Sequence, residues 1–178
     1  NGQIDPARFI PAAEGLQEAK EKLQQLIASL TNPHLKMLLS LLFSEQDFYA
    51  AFYLAPAAKQ YHHALLGGLL VHSVTVAAAA DSIAKDYPQA DRDLLVAGAI
   101  LHDVGKVQEY RCRGAVEETD EGRLLGHIVS GALLLDRAIA RVPDFPEDLR
   151  LKFLHMIVSH HGECEYGSPK VPMTIEAI

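Results

Sequence analysis

Five histidines and one aspartate, His72, His102, Asp103, His127, His160 and His161, stand far apart in the chain, each within or at the end of an apolar segment. Such a distribution restricts the fold, because only several converging helices can bring these side chains to one point. His72 shares a helical face with Leu65, Leu69 and Val76. His102-Asp103 follows the apolar run LLVAGAIL, where a carboxylate is costly to bury unless it is paired or metal-bound. Gly105 is expected to stop that helix before Lys106. His127 follows Gly126 and precedes Gly131 by one turn, so a bulky neighbour has room to approach. His160-His161 closes the apolar segment containing Phe153, Leu154, Ile157 and Val158, and Gly162 ends it. Two imidazoles there also suit dipole-complementing caps. Each histidine alone fits a hydrogen-bonded core residue; together they point to a divalent ion held by imidazole and carboxylate. His34, His62 and His155 read as structural or surface residues.

The order His72, then His102-Asp103 within HDVGK, resembles the H…HD…D pattern of the HD-domain metal-dependent phosphohydrolases. More narrowly, HHALLGGLLVHS, LLVAGAILHDVGK, LLGHI, SHHGECEYGSP and VPMTIEAI resemble the HD domain of YhaM-type 3′–5′ exoribonucleases, from about Phe9 to the C-terminus. The resemblance implies an all-α helical bundle with a metal site at its centre. His72, His102 and Asp103 match the first three ligands of the superfamily. With His127, His160 and His161 present, a second ion bridged by Asp103 and water is expected, as in binuclear members. Two ions ~3.5–4 Å apart clamp both the attacking and the leaving oxygen of a phosphoester. Manganese, iron, cobalt, nickel and zinc all suit the donors.

Asp103 and Lys106 are the expected catalytic residues, Lys106 by stabilising phosphate charge in the transition state. Ser168 and Lys170, in the turn-rich stretch Tyr166 to Pro172, are candidate substrate contacts, and Arg111, Arg113 and Arg123 are further candidates for meeting phosphate. The expected substrate is phosphate-containing, single-stranded RNA in the full-length protein. The alternatives are a nucleotide or cyclic-dinucleotide phosphohydrolase, since HHGECEYGSPKVP is imperfectly similar to an HHE…GYP signature, and a non-catalytic signalling HD domain. A signalling domain typically loses its ligands, whereas six candidate ligands are present here.

Residues 1–11 read as a linker leaving an earlier module, with Pro6 and Pro11 discouraging regular structure, and residues 12–178 as the HD domain. YhaM-type enzymes carry a nucleic-acid-binding OB-fold ahead of that domain. The family's last ligand is an aspartate in a helix after the GSP loop. Asp136, Asp144 and Asp148 do not match its context, and Thr174-Ile175-Glu176 reads as a helix start capped by Thr174. The domain is therefore expected to continue past Ile178.

With 178 residues and 49% hydrophobic content, the chain suits one domain with a substantial core. A net charge of −7 argues against broad attraction to a polyanion, so phosphate must be held locally. Cys112 and Cys164 give no disulfide framework, which fits a reducing cytoplasm. Residues Gln60 to Ala80 lack Asp, Glu, Lys and Arg, but three histidines and Gly67-Gly68 mark a buried helix lining a polar site rather than a membrane span.

Apolar periodicity predicts helices over about Ala13–Leu30, from Pro33 under an Asn32 cap, and from Ser44 with Asp47 to Pro56. Further helices are expected over Tyr61–Asp86, Asp91–Asp103, Leu124–Arg141 and Glu147–His160, with a hairpin or loop over Gln108–Gly122.

Overall fold

The computed structural model describes residues 11–58, 65–112 and 115–178. It is an all-α bundle with one small hairpin, in the order α1 (Leu16–Ser29), α2 (Pro33–Ser44), α3 (Gln46–Leu54), α4 (Gly68–Ile83), α5 (Arg92–Leu101), α6 (Lys106–Glu109), β1 (Tyr110–Cys112), β2 (Val116–Glu118), α7 (Asp120–Ile139) and α8 (Glu147–Ser159). His62 and the first part of the expected Tyr61 helix lie outside the described residues, as does most of the expected linker. Pro11 at the linker's end accepts a hydrogen bond from Leu66 N at 3.1 Å.

The central pair is α4 and α5, which carry almost no charge on their inner surfaces. Leu69, Ala77, Val96, Ala97, Ile100 and Leu101 are fully buried, and Phe153 and Ile157 of α8 join the same core. Each such large side chain contributes about 1.5–3 kcal/mol on burial, enough to fix the ends of these helices where the histidines project. Gly98 lets α8 approach, since a Cβ there would lie 2.3 Å from Met156 Cε.

Side-chain caps start three of the eight α-helices among the described residues. Asn32 accepts from His34 N and Leu35 N, and Asp91 accepts from Leu94 N, as expected. Three boundaries differ from expectation. The first helix begins at Leu16 because Gly15 is left-handed (φ 74°). Ser44 ends α2, donating to Leu41 O, and does not cap α3. The helix carrying His72 starts at Gly68 because Gly67 takes φ 78°, with Leu16 packed so closely that a Cβ would sit 2.2 Å from its side chain.

The stretch after the His-Asp pair also differs. Gly105 has φ −63°, a right-handed helical value, and the chain runs on into α6. Close approach is what demands glycine here, for a Cβ would lie 1.9 Å from His127 O and 2.6 Å from Gly131 N. The hairpin is present, β1 pairing antiparallel with β2. Thr119 caps α7 through Gly122 N, which starts that helix earlier than Leu124. Thr174 does not act as a side-chain cap: its backbone carbonyl accepts from Ala177 and Ile178, while its buried hydroxyl has no hydrogen-bond partner. Among the described residues, no helix is long and apolar enough to cross a membrane.

Candidate metal centre

Helix ends and one break deliver the six side chains. His72 projects from the second turn of α4, and His102-Asp103 continues α5 past its last helical residue. His127 follows Gly126, whose φ of 69° and ψ of 166° interrupt α7 and swing the next residue inward. His160 and His161 terminate α8, and Gly162 at φ 77° turns the chain away. All six meet, as the sequence predicts.

Asp103 lies at the middle, with only 3% of its surface exposed. Its Oδ2 faces His72 Nε2 at 3.5 Å, His102 Nε2 at 3.3 Å and Lys106 Nζ at 2.7 Å. Its Oδ1 faces the other way, to His127 Nε2 at 3.4 Å and His160 Nε2 at 3.6 Å. His161 completes that second side, its Nε2 lying 3.3 Å from His127 Nε2. The donor atoms thus divide into His72, His102 and Asp103 on one side and His127, His160 and His161 on the other, each group compact enough to hold an ion.

Imidazole orientation is fixed from behind. His102 Nδ1 donates to Ala99 O at 2.8 Å, His160 Nδ1 to Ile157 O at 2.7 Å, and His161 Nδ1 to Tyr166 O at 2.6 Å. In neutral imidazoles this leaves the Nε2 lone pairs pointing at each other and at a carboxylate. Such a cluster is repulsive unless a cation lies within it. Asp103 Oδ1 and His160 Nε2 are in fact buried without a hydrogen-bond partner. The residues therefore fit a divalent metal: nitrogen donors with one carboxylate suit the later first-row ions.

Electrostatics agree with that use. Burial pushes the Asp103 carboxyl up, but the close approach of the His102 and His160 rings and the charge of Lys106 outweigh it and hold the group well below the usual carboxylate range. The His161 imidazole is held below its ordinary value, first by burial and further by His160 and His127, so it remains an electron-pair donor.

A cavity of about 510 Å³ opens onto the cluster, with His72, Asp103, Lys106 and His161 in its polar wall and Val76 and Leu95 in its apolar wall. The loop after α8 departs from expectation. Ser168 is buried and its hydroxyl donates to Val158 O at 3.1 Å, holding the loop against α8 rather than facing the cavity. Lys170 is exposed and outside the cavity lining. Arg111 is likewise outside it, Arg123 pairs with Asp120, and Arg113 lies outside the described residues. Glu109, not singled out in the sequence, is buried beside His127 Nδ1 at 3.3–3.4 Å. The charges surrounding it between Lys106 and Gly122 disguised it as part of a solvated loop, and its position three residues after Lys106 was the available signal. His155 is structural as expected, accepting from Met173 N at 2.9 Å.

Comparison with known proteins supports the same assignment. The chain is 40% identical over 160 residues to the 3′-5′ exoribonuclease YhaM of Bacillus subtilis (strain 168), covering 90% of this chain and 50% of that protein. It is 42% identical over 161 residues to the enzyme of the same name from Bacillus velezensis, again covering 90% of this chain and 50% of the relative. For Geobacillus sp. (strain WCH70) the identity is 36% over 161 residues, 90% of this chain and 49% of the relative. The chain thus spans about half the length of the curated relatives it matches. No solved structure gives a significant match. Residues 69–178 match the HD domain family, a segment that contains all six converging side chains, and the chain belongs to that family.

Proposed function

We propose that this chain is the hydrolytic domain of a metal-dependent phosphodiesterase that shortens single-stranded RNA from its 3′ end, in a cytoplasmic protein. The observation that carries the reading is the orientation of Asp103, one oxygen toward each histidine group at the floor of an open cavity. The names of the relatives, 3′-5′ exoribonuclease, supply the substrate class.

His72, His102 and Asp103 would hold one divalent ion and His127, His160 and His161 a second, drawn from manganese, iron, cobalt, nickel or zinc. Ions so held supply Lewis acidity, making water a nucleophile near neutral pH and offsetting charge on phosphoryl oxygens. The protein contributes geometry and charge. Backbone carbonyls hold the His102, His160 and His161 rings at fixed angles, so little reorganisation accompanies reaction. Lys106, ion-paired to Asp103 and facing the cavity, keeps that carboxylate ionised and presents its ammonium to the phosphate as negative charge builds. With a net charge of −7, the chain draws the polyanion to this site by local charge alone.

The test is hydrolysis of a 5′-labelled single-stranded RNA, a cyclic dinucleotide and a mononucleotide by this chain, with each metal in turn. Progressive shortening of the RNA is expected. Turnover of only the cyclic dinucleotide or mononucleotide contradicts the RNA reading, and tight metal binding without any hydrolysis favours a signalling domain.

A further inference from the structure

His160 and His161 on one side of Asp103, and His102 on the other, each have a backbone carbonyl behind Nδ1. His127 instead faces the carboxylate of Glu109, whose Oε1 and Oε2 lie 3.4 Å and 3.3 Å from Nδ1. On its other edge, Nε2 faces Asp103 Oδ1 at 3.4 Å and His161 Nε2 at 3.3 Å. A neutral imidazole has one ring proton, and acceptors at both edges compete for it. We infer that Glu109 is a positioning residue that keeps this proton on Nδ1, so that the His127 Nε2 lone pair is turned to the ion shared with His160 and His161. The inference rests on the metal reading above and deepens it, by making the ion site of His127, His160 and His161 dependent on a charged partner behind one of its ligands.

The placement of Glu109 is built, not incidental. It is 7% exposed at the end of α6, and a carboxylate is rarely buried without a task. Gly122 at the start of α7 makes room for it: a Cβ there would lie 2.6 Å from Glu109 O and 2.9 Å from its Cγ. The neighbouring phenol of Tyr110 is pushed above its ordinary value by burial and then by the charge and hydrogen bond of Glu109, so it remains a proton donor toward the same carboxylate. A carboxylate behind a ligating imidazole both fixes the tautomer and raises the basicity of the donor nitrogen.

The experiment compares wild type with Glu109→Gln and Glu109→Ala in two ways. Long-range 1H–15N spectra of the metal-free protein read the His127 tautomer, and calorimetric titration with Mn(II) or Co(II) reads the two ion affinities separately. Wild type should show protonated Nδ1. In Glu109→Ala that preference should vanish and one ion should bind about 10–100-fold more weakly, with the other changed by no more than about twofold. Glu109→Gln keeps an acceptor without its charge, so the tautomer should persist while the same ion binds several-fold more weakly. Equal affinities for both ions in wild type and Glu109→Gln overturn the inference, whether or not Glu109→Ala folds. Equal loss at both ions in either variant also overturns it, since that is general disruption. If wild type binds no ion, the metal reading fails, while the tautomer spectra still test Glu109.

Discussion

The two ends of α5 each bury an aspartate, and the two are satisfied in opposite ways. Asp93, 6% exposed, is met by donors the chain itself provides: Thr31 N and Asn32 N at 2.6 Å, Thr31 Oγ1 at 2.9 Å and Arg92 Nη1 at 2.9 Å. Asp103, 3% exposed, has one ammonium partner and otherwise faces imidazole nitrogens, with Oδ1 left unpartnered. A buried carboxylate whose needs are met internally ties elements together, here the α1–α2 turn to α5. One whose needs are left open is shaped for something that arrives from outside.

The difference should be sharpest in Asp103→Asn. Metal affinity should fall by at least about 100-fold, because a direct ligand outweighs the 10–100-fold range of an outer partner, with the helical circular-dichroism spectrum unchanged. Unaltered metal content would erase the distinction between the two ends. Lys106→Ala should retain its ions but lose turnover by about 100-fold, the scale of one preorganised charge donor. A variant that chiefly lost metal would make Lys106 part of the support for Asp103 instead.

At the opposite end, Asp93→Ala should leave metal affinity intact and cost about 2–3 kcal/mol, since the Thr31 and Asn32 N–H groups lose a charged acceptor and Arg92 loses one of its two carboxylate partners. That corresponds to a melting temperature lower by about 5–10 °C. The smallest expected effect is in acid. Burial pushes Asp93 up, but the Asn32 and Thr31 donors and Arg92 outweigh it and hold the group below its ordinary value. Its stabilisation is therefore complete above the unfolded value, about 3.9, and is lost as pH falls through the lower folded value. Asp93→Asn should show a weaker loss of stability over that interval than wild type in parallel urea titrations.

The sequence made the bundle and the six-residue cluster legible because both depend on strong, local signals. Apolar periodicity marks α4, α5 and α8, and histidines at their ends have little other reason to recur. What it concealed were relations between distant segments. Gly105 looks like a helix stop, yet it is required by the backbone of α7 passing beside it. Glu109 sits in a stretch expected to form a hairpin or loop and Ser168 in a turn-rich one expected to meet substrate, and only packing shows one behind His127 and the other bonded to α8. The division of Asp103 between two histidine groups is likewise a matter of carboxylate orientation, to which spacing alone is blind.

That division is the central claim, and electron paramagnetic resonance of the Mn(II)-loaded chain tests it most directly. At two molar equivalents, ions bridged by Asp103 at the ~3.5–4 Å of a two-metal site should give an exchange-coupled spectrum, which Asp103→Asn should convert to the hyperfine pattern of isolated ions. An isolated-ion pattern in the fully loaded wild type would contradict the account.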